Sequence, residues 1–262
     1  MLVFVGIGLG VGGIPLQGLR EAREADAVYA ELYTSLIPGI DAAALEREVG
    51  RSIKVVSRKV VEENPDEILD AARRGKLVFL VPGEPMVATT HVDLRLRAAK
   101  AGIGTKVIHA ASIASAAPGL AGLQSYKFGP SATVPFQDNP SARPYEILVE
   151  NLARGLHTLL LLDIRAEEGR AMTAGEAIKV MLNLEKVKNE KTFTERRLVV
   201  VVARAGEDDC LVAADLAGNL VGRDFGPPPY VLIVPGRLHF MEAEALKAFA
   251  GAPKEALDEI GR

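Results

Sequence analysis

The sequence predicts an α/β protein of two domains, with a mostly parallel sheet in the first. Three observations lead there. Short apolar runs at residues 2–8, 77–81 and 106–110 alternate with amphipathic stretches of helical period. Runs of this kind fit parallel strands covered by helices on both faces. The rhythm then breaks at 118–144, where Gly, Pro, Ser and Asn accumulate and charge thins, so the boundary falls inside that segment and the domains are 1–122 and 123–262.

Each element has a local cause. The strand at 2–8 leads into a helix over 15–25, with Pro15 near its first turn. Residues 27–32 read as a strand, 42–49 as a helix and 53–57 as a strand. Asn64-Pro65-Asp66-Glu67 is a helix start, with Asn64 as N-cap, Pro65 at the first position and acids against the helix dipole, and Gly75 marks the end. A strand at 77–81, a helix at 93–101 and a strand at 106–110 complete the first half. Beyond the break come a helix at 145–154 and a strand at 158–164. Thr173-x-x-Glu176 forms a capping box opening a helix to about Lys188. Strands follow at 198–203 and 230–234, with 211–221 as another pair. A helix at 242–249 ends at Gly251 and Pro253.

Composition narrows the function. The 262 residues are 48% hydrophobic, enough for a sizeable core, and carry a net charge of −3. A general nucleic-acid binder would show a basic excess. No apolar run reaches the ~18 residues that span a bilayer. The start, MLVFVGIG, has neither a basic n-region nor a small-residue cleavage site, so no signal peptide is expected. Cys210 is the only cysteine, which points to a reducing compartment, the cytoplasm.

Two glycine turns carry the chemistry. Gly8, Gly10 and Gly13 satisfy G-x-G-x-x-G after the first strand, and Glu31 lies at about the spacing of a ribose-binding acid. Against a dinucleotide stands Ile14-Pro15, which pushes the helix N-terminus past the turn. A non-phosphate cofactor and simple close packing remain open readings of that turn. The second turn, VPGEPMVATTH (81–91), places Glu84 at the C-terminal edge of another strand, where α/β sheets bind ligands. A third segment, HAASIASA (109–116), offers small residues with Ser112 and Ser115. A rim with so little basic charge suits a zwitterionic or cationic ligand better than a polyphosphate.

These motifs resemble a known family. VGIGLG near the start, a PG(D/E)P turn and a two-domain α/β layout are similar to the tetrapyrrole-methylase superfamily of S-adenosylmethionine-dependent methyltransferases. Within it, ELYTS (31–35), PGEPMVATTH (82–91), IHAASI (108–113), GLQSYKFG (122–129), LLLLDI (159–164) and LVVVVARAG (198–206) resemble the diphthine-synthase branch. Three positions depart from the superfamily pattern: Gly8-Leu9-Gly10-Val11 replaces Gly-Pro-Gly-Asp, Glu84 replaces Asp, and Tyr230 replaces a His. The resemblance implies a tetrapyrrole-methylase-like fold, with a mixed sheet and helices in the C-terminal domain and S-adenosylmethionine between domains. It also implies a homodimer, and as substrate the modified histidine of translation elongation factor 2, whose amino group is methylated up to three times. Carried over by motif, the cofactor contacts are Leu9, Glu84, Val87, Ser112, Ile113, Leu162, Ala205 and Tyr230. No metal and no catalytic nucleophile are implied.

Other readings stay in view: a tetrapyrrole methyltransferase, a nicotinamide-dependent oxidoreductase built on the glycine run, or a non-catalytic partner-binding module. Among the remaining polar residues, His91 reads as a cap or surface residue, or else as a proton acceptor for the substrate. His109, His157 and His239 read as structural. The four histidines share no metal-binding spacing, and Cys210 has no cationic activator nearby in sequence. Asp163 reads equally as a rim residue or a helix cap. The charge run from Glu185 to Lys191 reads as a solvated helix end.

Overall fold

The computed structural model describes residues 1–10 and 12–258. They form two compact units, one of Met1–Ile113 with Ile164–Gly169, the other of Ala114–Asp163 with the chain from Arg170 onward. The expected boundary at 122/123 lies in the turn after a helix, where Gly122 has φ +70°.

The first unit is a doubly wound sheet. Strands β1 (Leu2–Gly6), β2 (Ala27–Ala30), β3 (Lys54–Val55), β4 (Leu77–Val81) and β5 (Thr105–Ile108) run parallel in the order β3-β2-β4-β1-β5. Alternate side chains of the central strands serve two cores. Leu2, Phe4, Leu77, Phe79 and Val81 pack with residues of α4 (Asp66–Arg74) and α5 (His91–Lys100). Val3, Val5, Val78 and Leu80 pack with residues of α1 (Leu16–Arg23) and α2 (Ala42–Val49). Burial on both faces explains why β1 and β4 read as unbroken apolar runs. All strand C-termini face one edge, and that edge carries the loops described below.

The second unit is a mixed sheet of β6 (Ala132–Val134), β7 (Thr158–Leu162), β10 (Leu198–Ala203), β11 (Leu211–Leu216) and β12 (Tyr230–Val234). Their order is β11-β10-β12-β7-β6, antiparallel throughout except for β6 with β7. The two-residue strands β8 (Ile164–Arg165) and β9 (Arg170–Ala171) lie outside both sheets. Its core joins the strands to α7 (Arg143–Ala153), α8 (Ala174–Lys188) and α9 (Ala217–Leu220). The Thr173–Glu176 capping box is formed reciprocally, as its spacing predicts.

Several elements differ from expectation. A short helix α3 (Arg58–Glu62) interrupts a stretch without a sequence signal. The expected irregular segment holds α6 (Ile113–Ala121), which carries Pro118 inside it, and β6. Burial of Ala117, Pro118 and Ala121 there outweighs the low helix propensity of proline. Residues 211–221 form one strand and one helix rather than two strands. The helix α4 begins one residue later than its sequence start, with Pro65 as N-cap. Past α10 (Phe240–Ala250), closed by Gly251 at φ +65°, comes a further short helix α11 (Lys254–Asp258).

Candidate functional site

The C-terminal edge of the first sheet is built from turns that interlock. Gly8 and Gly83 form an antiparallel bridge: the Gly8 N–H donates to the Gly83 carbonyl at 3.2 Å, and the Gly83 N–H donates back at 2.9 Å. Gly6 sits beneath this bridge. A Cβ at Gly6 would lie 2.5 Å from the Gly83 carbonyl oxygen, 2.7 Å from Ala110 Cβ and 2.9 Å from Pro85 Cδ. Only glycine fits where the turns after β1, β4 and β5 converge.

Glu84 staples two of those turns. Its carboxylate, 8% exposed, accepts the Ala110 N–H at 3.1 Å through Oε2, and its Oε1 lies 2.9 Å from His109 Nδ1. Ser112 and Ile113, partly exposed, follow two and three residues after Ala110, and Leu9, also partly exposed, follows Gly8. Val87 is exposed on the second turn, where its N–H donates to the Glu84 carbonyl. The first unit thus brings Leu9, Glu84, Val87, Ser112 and Ile113 to one edge.

The same geometry answers the dinucleotide reading. The Gly8 and Gly13 amides are spent on backbone carbonyls, Gly13 on Gly10 at 2.9 Å. Helix α1 starts only at Leu16, and its N-cap Pro15 has no N–H to offer a pyrophosphate. Glu31, the acid that reading needs for a ribose, is fully buried. It accepts the Tyr33 and Thr34 N–H groups, each at 3.0 Å, and the Thr34 hydroxyl.

His91 lies at a helix start, as its reading as a cap residue has it, but the readings as a surface residue or substrate base are corrected by its burial. It is the first residue of α5 and wholly buried, edge-on to Phe79 at 5.5 Å. Its Nδ1 lies 2.9 Å from Thr89 Oγ1 and 3.3 Å from the Pro85 carbonyl oxygen. Its Nε2, 3.7 Å from Glu31 Oε1, has no hydrogen-bond partner. Burial pulls its pKa down to about 4, so the ring is neutral at neutral pH. Burial pushes the Glu31 carboxyl the other way, above its ordinary range.

In the second unit, Leu162, Ala205 and Tyr230 also fall at one sheet edge. Leu162 ends β7, Ala205 lies two residues past the end of β10, and Tyr230 opens the antiparallel β12, paired with Ala203. All three are buried, and the Tyr230 hydroxyl donates to the Gly226 carbonyl. Arg204, which the sequence did not single out, organises this edge from a left-handed backbone at φ +49°. Its guanidinium binds Asp209 Oδ2 at 2.6 Å and the carbonyls of Phe225, Pro227 and Asp209. Asp163, just past Leu162, accepts the Phe136 N–H at 3.3 Å and caps no helix.

The charge run at 185–191 is a solvated helix end as expected at Lys186, Lys188, Glu190 and Lys191, all exposed around the end of α8, but not at its start. Its first residue, Glu185, is buried and accepts the N–H groups of Lys191, Thr192 and Phe193 and the Tyr145 hydroxyl. Burial alone would raise its pKa, but these bonds outweigh it and hold the carboxyl below its ordinary range.

Comparison with known proteins agrees with this architecture. Residues 1–220 match the family of tetrapyrrole (corrin/porphyrin) methylases. Two relatives called diphthine synthase are each 45% identical to the chain. One, from Methanosarcina mazei, aligns over 99% of this chain and 100% of its own length. The other, from Methanothermobacter thermautotrophicus, aligns over 99% of each. A crystal structure of diphthine synthase superposes with a TM-score of 0.91 at 39% identity, covering 99% of both chains. The chain belongs to the tetrapyrrole methylase family, within its diphthine-synthase branch. It is a methyltransferase of diphthamide biosynthesis.

Proposed function

We propose that this methyltransferase uses S-adenosylmethionine to methylate the amino group of the modified histidine of translation elongation factor 2, up to three times, to form diphthine. The observation that carries the cofactor reading is the first-unit edge. Three turns meet around Gly6, their glycine amides are turned inward on one another, and Glu84 supplies a fixed carboxylate. That donor set suits a sulfonium amino acid with a nucleoside, not a diphosphate. Leu9, Glu84, Val87, Ser112 and Ile113 are the proposed contacts in the first unit, and Leu162, Ala205 and Tyr230 those in the second. When bound, S-adenosylmethionine supplies a methyl group on a sulfonium, a leaving group that needs no covalent help.

The chain's own part is then orientation of the reacting groups. Glu84 sets negative charge at the edge, and the buried apolar residues at the second edge exclude water. A dry surrounding also disfavours the ammonium form of the acceptor, which must present a lone pair. The enzyme is proposed to act as a homodimer in the cytoplasm. Among the described residues no helix is long and apolar enough to cross a membrane.

Calorimetry with S-adenosylmethionine and with NAD tests the cofactor: binding of the first without the second is expected, and the reverse result overturns the reading. Mass spectrometry of elongation factor 2 carrying the unmethylated histidine adduct tests the substrate. The expected result is an increment of one to three methyl groups. No increment with cofactor bound removes the substrate assignment and leaves the family intact.

A further inference from the structure

The second unit carries a basic groove whose lining includes none of the proposed cofactor contacts. It has a volume of about 550 Å³ and is lined by Leu152, Arg154, Arg197 and Arg237 around Gly155 and Gly236, with no acidic residue in its wall. The three arginines come from three elements: the end of α7, the start of β10 and the turn after β12. Within the second unit the groove sits at the edge of the sheet opposite Leu162, Ala205 and Tyr230. It is separated from them by the five residues of β12, about 15 Å of strand.

The floor of the groove is rigid. A Cβ on Gly236 would lie 2.4 Å from the Leu156 carbonyl oxygen, and the Arg237 N–H donates to the Gly155 carbonyl at 3.1 Å. Behind this seam stands a wholly buried pair, His157 and Glu242. The Gly236 N–H donates to His157 Nδ1 at 2.9 Å, which leaves the ring proton on Nε2, donated to Glu242 Oε1 at 3.0 Å. Lys127 binds Glu242 and also donates to the Arg237 carbonyl at 2.6 Å. This buried network fixes the turn that displays Arg237.

Several other arginines of this unit are matched by acids: Arg143 with Glu150, Arg170 with Asp138, Arg196 with Glu255 and Arg204 with Asp209. Arg154 and Arg237 are exposed and have no ion pair among the described residues. Arg197 is half-buried, with Nε held by the Thr192 carbonyl at 2.8 Å.

We infer that this groove docks an acidic, carboxylate-bearing segment of the protein substrate. Guanidinium groups match carboxylates in planar, bidentate fashion. A protein acceptor must be gripped away from its reacting side chain, which a small acceptor does not require. A nucleic acid is a poorer occupant, because it demands an extended basic face, and this chain is net −3. The inference rests on the reading that the acceptor is a protein.

The test uses the full chain and the double variant Arg154→Ala/Arg237→Ala, which alters only exposed side chains. Hexaglutamate, followed by calorimetry at low salt, should bind the wild type without displacing S-adenosylmethionine and should not bind the variant. With the elongation factor 2 adduct, the variant should raise KM about tenfold, with kcat and cofactor affinity unchanged and a weaker dependence of KM on salt. Failure of hexaglutamate to bind the wild type, or an unchanged KM in the variant, overturns the docking site. Wild-type enzyme that binds hexaglutamate but methylates no protein overturns the substrate reading, and the assigned occupant with it.

Discussion

The edges of the two sheets are held together by different means. In the first unit the turns around Gly6 are joined mainly through backbone: the Gly8–Gly83 bridge and the crowding around Gly6, with Glu84 as a side-chain staple. In the second unit, buried charges hold the loops. Glu242 ties Gln124, Lys127, His157 and His239 together, Glu185 gathers the turn at 191–193, and Arg204 gathers 209 and 225–227. Backbone joints leave room for a ligand to approach main-chain groups. Charge networks give fixed loops, at the risk that removing one member strands the others.

The sharpest way to break that contrast is Glu242→Ala. Burial alone would raise this carboxyl's pKa, but the His239 N–H, Lys127, the Gln124 N–H and His157 outweigh it and set it at about 2. Removing the acid leaves Lys127 and a wholly buried His157 without their partner. A loss of about 3–5 kcal/mol is expected, read by chemical denaturation, with Glu242→Gln losing less.

These networks were the least legible part of the sequence, because their members lie far apart in it: Gln124 and Glu242 are 118 residues from one another. The glycine turns were legible because their cause is local. A glycine straight after an apolar run signals a tight turn, so the first edge could be assembled from the pattern alone. Strands buried on both faces, β4, β10 and β12, match their predicted bounds for the same reason. What the pattern missed, α6 and the isolation of His91 from solvent, depends on what the rest of the fold covers.

The next effect is pH dependence, and it tests whether the first unit hides a titrating pair of its own. His91 has a folded pKa of about 4 against an ordinary 6.5. The unfolded chain therefore binds more protons between those values. The His91 contribution is complete above pH 6.5 and is lost as pH falls toward 4, up to about 3 kcal/mol. Glu31 works in the opposite sense: its raised pKa makes its contribution fall as pH rises above 4.5. In denaturation midpoints from pH 4 to 7, His91→Asn should shift the slope toward stability that falls as pH rises, and Glu31→Gln should shift it toward stability that rises with pH.

Gly6→Ala probes the backbone joint directly. The added methyl meets the Gly83 carbonyl oxygen at 2.5 Å, an overpacking cost of about 1–3 kcal/mol. The turns must part to admit it, so cofactor affinity should fall by more than the loss of stability alone would suggest. Calorimetry of S-adenosylmethionine binding at a temperature where the variant remains folded checks this. Unchanged affinity would mean that the three turns do not form the binding edge.

The smallest effect separates the Glu84 staple from the backbone around it. His109 is 75% exposed where it meets Glu84, so the pair adds little to stability, below about 1 kcal/mol. His109→Ala should leave the thermal midpoint nearly unmoved, because Glu84 still accepts the Ala110 N–H. Glu84→Lys is a different change at the same place: it reverses the charge presented to a sulfonium ligand and strips Ala110 of its acceptor. Cofactor affinity should therefore fall steeply for Glu84→Lys and only slightly for His109→Ala. Equal, slight losses in the two variants would show that neither the charge of Glu84 nor its bond to Ala110 bears on the ligand, which is then held by main chain alone.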